Sequence, residues 1–144
     1  MTQACDYKIK EINIPDTKAI VELHIVDVAG QKIFNSIAID LITDVTMCVL
    51  VYDVNNVDTF QSLSSWYDGI RDQNGRDVPG IIIGNKTDLN RQQVSSDDAK
   101  GLADSMGLGF YEISATIGQE VEGPFKDLAK NYHQQYEDRI ARLK

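Results

Sequence analysis

The chain has 144 residues, 42% hydrophobic and 25% charged, which is the composition of one globular domain spanning 1–144. A formal charge of -8 and a pI near 4.6 argue against nucleic acid and anionic membrane as partners. Cys5 and Cys48 are isolated thiols without CxxC spacing, so neither a disulfide framework nor a structural zinc site is expected and a reducing compartment fits best.

No charged-then-apolar signal segment opens the chain, and no apolar run approaches the roughly 18 residues that a membrane span needs. Tyr7 to Ile14 reads as a strand with apolar Tyr7, Ile9, Ile12 and Ile14, and the slip in its alternation near Lys10 and Glu11 suggests a bulge. Pro15-Asp16-Thr17-Lys18 is turn chemistry. Ile20 to Val26 alternates, with Val21, Leu23 and Ile25 on one face and Glu22 and His24 on the other, so the two strands form an antiparallel hairpin. Asp27 to Lys32 is a loop, and Phe34, Ile37, Ala38 and Leu41 suggest one side of a short helix.

Val45 to Tyr52 is short, β-branched and nearly all apolar, which predicts a parallel strand buried on both faces. Asp53 to Asp58 is a turn and cap region. Phe60, Leu63, Trp66, Tyr67 and Ile70 have helical spacing between Thr59 and about Asn74. Ile81 to Gly84 is a second buried strand. Ser95 with Asp98 three residues on opens a helix that runs to Met106 and stops at Gly107. Phe110 to Ile113 is a third buried strand. Pro124 sits near the start of the last helix, whose stripe is Phe125, Leu128, Ala129, Tyr132, Tyr136 and Ile140. Strands alternating with helices give an α/β sheet of right-handed crossovers. His24 and His133 have no Ser, Cys or metal-ligand partner at useful spacing, so both read as surface residues.

Three short stretches carry the chemistry: Asp27-Val28-Ala29-Gly30-Gln31, Asn85-Lys86-Thr87-Asp88-Leu89 and Ser114-Ala115-Thr116. DxxGQ, NKxD and SA at these separations resemble the guanine-nucleotide site of a Rab-like small GTPase. The resemblance covers nearly the whole chain from Thr2. It implies a Ras-like G-domain: a mostly parallel sheet with one antiparallel hairpin strand and helices on both faces. Within the family the chain looks most like the GTPase subunit of the intraflagellar transport train. Cys48 to Val54, Pro79 to Leu89 and Pro124 to Gln134 carry that likeness, with Pro15-Asp16-Thr17 in the hairpin turn. It implies a place in the cytoplasm and the cilium or flagellum, and a tight heterodimer with the small β-sandwich subunit twenty-five of the same train. No cysteine stands among the last residues, Arg139 to Lys144, so the lipid anchor of ordinary Rabs is not expected.

The resemblance also assigns roles. Asp88 is acceptor-only and can take both N–H donors on the guanine edge that adenine lacks. Asn85 bonds the base or ties neighbouring loops, the stem of Lys86 lies along the base face, and the backbones of Ser114 and Ala115 donate to the guanine oxygen. Thr116 stands where the family usually has lysine, which weakens base packing on that side. Asp27 would hold Mg²⁺, Gly30 would let its N–H approach a terminal phosphate, and Gln31 would orient the attacking water. Thr2 matches the switch threonine that also binds Mg²⁺. The implied cofactors are GTP or GDP and Mg²⁺.

No GxxxxGK[ST] occurs in these residues. In the family that phosphate loop follows a first strand and opens a first helix, before the switch threonine, and its backbone N–H groups cradle the phosphates. The chain is therefore expected to lack the central first strand, the phosphate loop and the first helix, and not to hydrolyse GTP as it stands. The Ile20–Val26 and Val45–Tyr52 strands should flank a gap or pair with each other. Leu23, Ile25, Val49 and Val51 should be unusually exposed, and the isolated chain marginally stable and prone to associate. The alternative is a G-domain-like interaction scaffold in vesicle or ciliary trafficking that binds no nucleotide.

Overall fold

A computed structural model describes residues 5–30 and 42–143. Thr2, Gln31 and the expected helix around Phe34 to Leu41 lie outside the described residues. The fold is the α/β class expected, in the order β1 (Cys5–Asn13), β2 (Ile20–Val28), β3 (Cys48–Asp53), α1 (Val57–Asn74), β4 (Gly80–Asn85), α2 (Ser96–Met106), β5 (Gly109–Glu112) and α3 (Glu122–Ala141). β1 and β2 form an antiparallel pair, and β3, β4 and β5 form a parallel sheet in that spatial order. The chain divides into two compact units, one of Met1–Leu41 with Phe125–Lys144 and one of Ile42–Pro124.

In the first unit β1 pairs with β2 residue for residue, from Cys5 opposite Val28 to Asn13 opposite Ile20. The expected bulge is therefore absent from the described hairpin. The slip at Lys10 and Glu11 instead marks a change in which face is apolar. Ile12 and Ile14 are buried with Val21 and Ala129, and Leu23 packs against them. Lys10 and Lys8 stand opposite Leu23 and Ile25, so they share that face. Tyr7 and Ile9 point to the other face and are 55% and 53% exposed. On that exposed face the Tyr7 ring meets His24, with centroids 5.9 Å apart. His24 is the surface residue expected, and it has neighbours there: Tyr7 Oη bonds its Nδ1, and its Nε2 lies 2.5 Å from Glu22 Oε1. The cross-strand register brings Tyr7 to His24, whereas Glu22 is the same-face neighbour two residues back along β2.

In the second unit β4 is buried on both faces, with Ile81, Ile82 and Ile83 all at most 2% exposed, and the main hydrophobic cluster lies on the Ile82 face. Cys48, Leu50 and Tyr52 of β3 and Ile82 of β4 pack against Leu63, Tyr67 and Ile70 of α1 and Ala99 and Ala103 of α2. Burying an aliphatic or aromatic side chain of this size is worth roughly 1.5–3 kcal/mol relative to exposure. The expectation of a β3 buried on both faces is corrected here, because Val49 and Val51 are 36% and 56% exposed. The exposure of Val49 and Val51 agrees with the expectation for this face. Leu23 and Ile25 are only half-buried. β2 has its ladder to β1, and β3 has its ladder to β4.

The helix ends follow the sequence chemistry. Asn56 caps α1 by accepting the Asp58 N–H, and Gly75 closes it at φ 60°. Ser95 Oγ accepts the Asp98 N–H at 3.0 Å, and Gly107 ends α2 at φ 68° with Leu108 N–H on the Ala103 carbonyl. Asn74 fastens the end of α1 to the chain entering β3: its Nδ2 donates to the Ile42 carbonyl at 2.7 Å and its Oδ1 accepts the Val45 N–H at 3.0 Å. Cys5 is exposed, Cys48 buried, and both are free thiols.

Candidate functional site

The parallel sheet brings three strand ends together. β3 ends at Asp53, β4 at Asn85 and β5 at Glu112, and the ladder sets Asp53 beside Asn85 and Gly84 beside Glu112. Open α/β sheets bind ligands beyond these carboxyl ends, because the loops there converge while the strands hold their starting points fixed. The β4–α2 and β5–α3 connections carry Asn85, Lys86 and Asp88 and Ser114, Ala115 and Thr116.

Side-chain hydrogen bonds lock the two loops to each other. Ala115 N–H donates to Asn85 Oδ1 at 3.1 Å. Ser114, fully buried, donates its hydroxyl to Asp88 Oδ1 at 2.5 Å. Thr87 reaches across as well, with its N–H at 3.3 Å and its hydroxyl at 3.1 Å from the Ile113 carbonyl. The 114–119 loop closes on itself through two backbone bonds between Ser114 and Gln119. Asp88 thus has one oxygen engaged and is only part-buried, so a carboxylate acceptor faces the region between the loops. Asn85 serves as the tie between loops, one of the two roles open to it.

The strand ends are tightly built beneath this cluster. Gly84 has no room for a side chain: a Cβ there would lie 2.8 Å from the Tyr52 hydroxyl and 2.9 Å from Val54 Cγ1. Tyr52 is buried, and its hydroxyl has no hydrogen-bond partner among the described residues. Burial, with the charge of Glu112 adding to it, pushes that phenol up to about 12. Burial likewise pushes the Cys48 thiol up to about 11, against its own backbone hydrogen bond.

Two contributors escaped the sequence reading, which treated Asp53 to Asp58 as turn and cap. Asp53 Oδ2 lies 2.6 Å from Lys86 Nζ. Asn55 Nδ2 donates to the Lys86 carbonyl at 3.0 Å and to Asp53 Oδ1 at 3.1 Å. Burial alone would raise the Asp53 carboxyl. The hydrogen bonds from Lys86 and Asn55 and the Lys86 charge outweigh it, holding the group below its ordinary 3.8. The available signal was position: both residues leave the carboxyl end of a parallel strand, as Asn85 and Ser114 do.

Asn85, Lys86, Asp88, Ser114 and Ala115 are thus gathered in one cluster of the second unit, with Thr116 exposed in the same loop. Asp27 and Gly30 belong to the first unit, where Asp27 is exposed near the end of β2 opposite Asp6. Among the described residues no group of three or more His, Cys, Asp and Glu could hold a metal ion. The Asp88 carboxylate is an acceptor of the kind that suits guanine N–H donors, while the Ala115 and Ser114 backbone N–H groups are engaged by Asn85 Oδ1 and the Gln119 carbonyl.

Residues 1–134 match the Ras family. The chain is 37% identical over 142 residues to the intraflagellar transport protein 27 homolog of Homo sapiens, covering 97% of this chain and 76% of that protein. It is 32% identical over 144 residues to the Trypanosoma brucei brucei homolog, covering 99% of this chain and 78% of the relative. It is 31% identical over 147 residues to intraflagellar transport protein 27 of Chlamydomonas reinhardtii, covering 98% and 72%.

Proposed function

The chain belongs to the Ras family, and on that premise we propose that it is a guanine-nucleotide-binding, Rab-like subunit of ciliary intraflagellar transport. One observation carries the nucleotide reading. The Asp88 carboxylate and the Ala115 backbone stand in two loops that are already tied together by the Asn85 and Ser114 bonds. A loop pair fixed in advance loses less conformational freedom on binding a base, which favours affinity and selectivity. Guanine offers two N–H donors to a carboxylate where adenine offers none on that edge, so Asp88 is the identity-reading group.

The ligand is GTP or GDP, with Mg²⁺ supplied at the phosphates when the nucleotide is bound. Within this chain Asp27 and Thr2 are the residues to hold the ion, Gly30 the one to approach the terminal phosphate and Gln31 the one to orient water. The names of the relatives support a place in the cilium or flagellum. The partner is the small β-sandwich subunit twenty-five of the same train, bound as a heterodimer. Among the described residues no helix is long and apolar enough to cross a membrane.

A second reading, a G-domain-like scaffold that binds no nucleotide, is favoured by one feature: no GxxxxGK[ST] occurs in the 144 residues. Competition binding with GDP and ADP separates the two. The chain should prefer GDP, and Asp88→Asn, which turns one oxygen into a donor facing the guanine N–H groups, should abolish the preference. Equal affinity for both nucleotides in the unaltered chain would leave the scaffold reading standing.

A further inference from the structure

A dense polar knot lies outside the base-reading residues, at Asp53 and Asn55. Lys86 adopts φ 68°, the left-handed region that side chains with a Cβ rarely enter without outside support. Three contacts supply that support. The Lys86 N–H donates to Asn85 Oδ1 at 2.8 Å, its carbonyl accepts from Asn55 Nδ2 at 3.0 Å, and Leu89 N–H donates to the same carbonyl at 3.2 Å. The side chain is held too, with its ammonium 2.6 Å from Asp53 Oδ2.

The other Asp53 oxygen is not idle. It accepts the Asn55 N–H at 2.9 Å and Asn55 Nδ2 at 3.1 Å. The two hydrogens of one amide nitrogen thus join the carboxylate that holds the Lys86 ammonium to the carbonyl of Lys86 itself. Asp53 is anchored in turn, its own N–H on Thr59 Oγ1 at 3.0 Å, and the β3–β4 register sets it beside Asn85. Its side chain is 19% exposed against 50% for Lys86, so the carboxylate is the fixed partner and the lysine the one being positioned.

We propose that Asp53 and Asn55 are positioning residues that hold Lys86 in its left-handed conformation with its stem laid across the loop and its ammonium neutralised. Their use in nucleotide binding rests on the guanine-site reading, while the geometry they impose does not. Asn55 fixes the backbone and Asp53 the side chain. Neither touches the base, and Asp88 alone sets its identity. Loss of either therefore weakens nucleotide binding without changing which base is preferred.

The test uses the 144-residue chain with Asn55→Ala, Asn55→Asp and Asp53→Asn. Amide hydrogen exchange is read at Lys86 and Leu89, with Ile82 in β4 as the reference for global stability. Losing one such hydrogen bond should cut protection at Lys86 and Leu89 by about tenfold in Asn55→Ala, with Ile82 unchanged. Asn55→Asp keeps size but loses the paired donors, and should behave like Asn55→Ala. In Asp53→Asn, acylation of Lys86 by acetic anhydride should become several-fold faster than in the unaltered chain. GDP affinity should fall by about tenfold in Asn55→Ala while the ratio of GDP to ADP affinity stays fixed. Unchanged protection at Lys86 and Leu89 would overturn the proposal, as would an equal loss at Ile82, which marks a merely structural role. Should the unaltered chain show no preference for GDP, the guanine-site reading fails, and the exchange and acylation measurements still decide the positioning role.

Discussion

Ser114 Oγ donates to Asp88 Oδ1 at 2.5 Å from a fully buried position, so the carboxylate proposed to read a guanine edge is itself held by the neighbouring loop. A hydroxyl-to-carboxylate bond is among the stronger kinds, and removing the donor leaves Asp88 without its fixed partner. Ser114→Ala should cost about 1–2 kcal/mol of stability, below the upper range for charged hydrogen bonds because Asp88 is only part-buried. GDP affinity should fall together with it. Urea unfolding and nucleotide competition check the two effects, and a variant that matched the unaltered chain in both would mean that the bond positions nothing.

Hydrolysis is a separate matter from recognition. Phosphoryl transfer is driven by positioning and charge neutralisation around the phosphates, much of it from the glycine-rich loop and its lysine. No such motif stands in the 144 residues. Purified as this polypeptide, the protein should show no GTP turnover above the uncatalysed background. Phosphate release at the rate of an intact small GTPase would refute this.

Gly84 and Tyr52 form a coupled pair. The Gly84→Ala methyl would meet the Tyr52 hydroxyl at 2.8 Å and Tyr52 Cζ at 3.0 Å in a strand flanked on both sides. Overpacking of this kind costs about 1–3 kcal/mol. Tyr52→Phe removes a buried hydroxyl that has no partner among the described residues, so it should be neutral or slightly stabilising. In the double variant the alanine should be better tolerated than alone. Thermal melts of the four proteins form a cycle, and strict additivity would show that the hydroxyl is not what the methyl strikes.

Much of this architecture is legible along the chain, and what is not legible depends on pairings between strands. The alternation of Ile20 to Val26, the caps at Ser95 and Gly107 and the helical stripe from Phe60 to Ile70 are local patterns, and each appears where the pattern puts it. The NKTDL and SAT stretches are local as well, so their residues could be named from sequence. Asp53 and Asn55 could not, because their role comes from the register that sets β3 beside β4. The Tyr7–His24 contact has the same origin in the hairpin register. The false bulge at Lys10 and Glu11 arose because a strand that changes its apolar face midway looks, in one dimension, like a strand with an inserted residue.

Alkaline pH should unfold the protein through Cys48 and Tyr52. Both are buried, with values raised from 9.0 to about 11 and from 10.0 to about 12. A raised value means that the folded state favours the protonated, neutral form. The associated stability is fully present below the unfolded values and is lost as pH rises, between 9.0 and about 11 for Cys48 and between 10.0 and about 12 for Tyr52. Each tenfold preference for the neutral form corresponds to about 1.4 kcal/mol, so the two groups together remove on the order of a few kcal/mol. Urea midpoints should therefore fall steeply above about pH 9, and Tyr52→Phe should flatten the upper part of that fall. A flat profile in the unaltered protein would contradict the burial of these groups.

The last expectation concerns β3. Among the described residues its ladder runs to β4 on one side only, and along it Val49 and Val51 stand 36% and 56% exposed while Cys48, Leu50 and Tyr52 fill the core. A strand that ends a sheet with apolar residues in solvent offers both hydrogen-bonding groups and greasy surface to another chain. The isolated polypeptide should therefore associate as its concentration rises through the micromolar range. Val51→Lys places a charge on the exposed face without touching the core, and an exposed change of this kind usually moves stability by no more than about 0.5 kcal/mol. Sedimentation velocity should show the variant remaining monomeric where the unaltered chain associates, with both melting alike. If the unaltered chain stays monomeric throughout that range, the exposed edge of β3 is not a contact surface in solution. If Val51→Lys melts well below the unaltered chain, Val51 is more deeply packed than its exposure indicates.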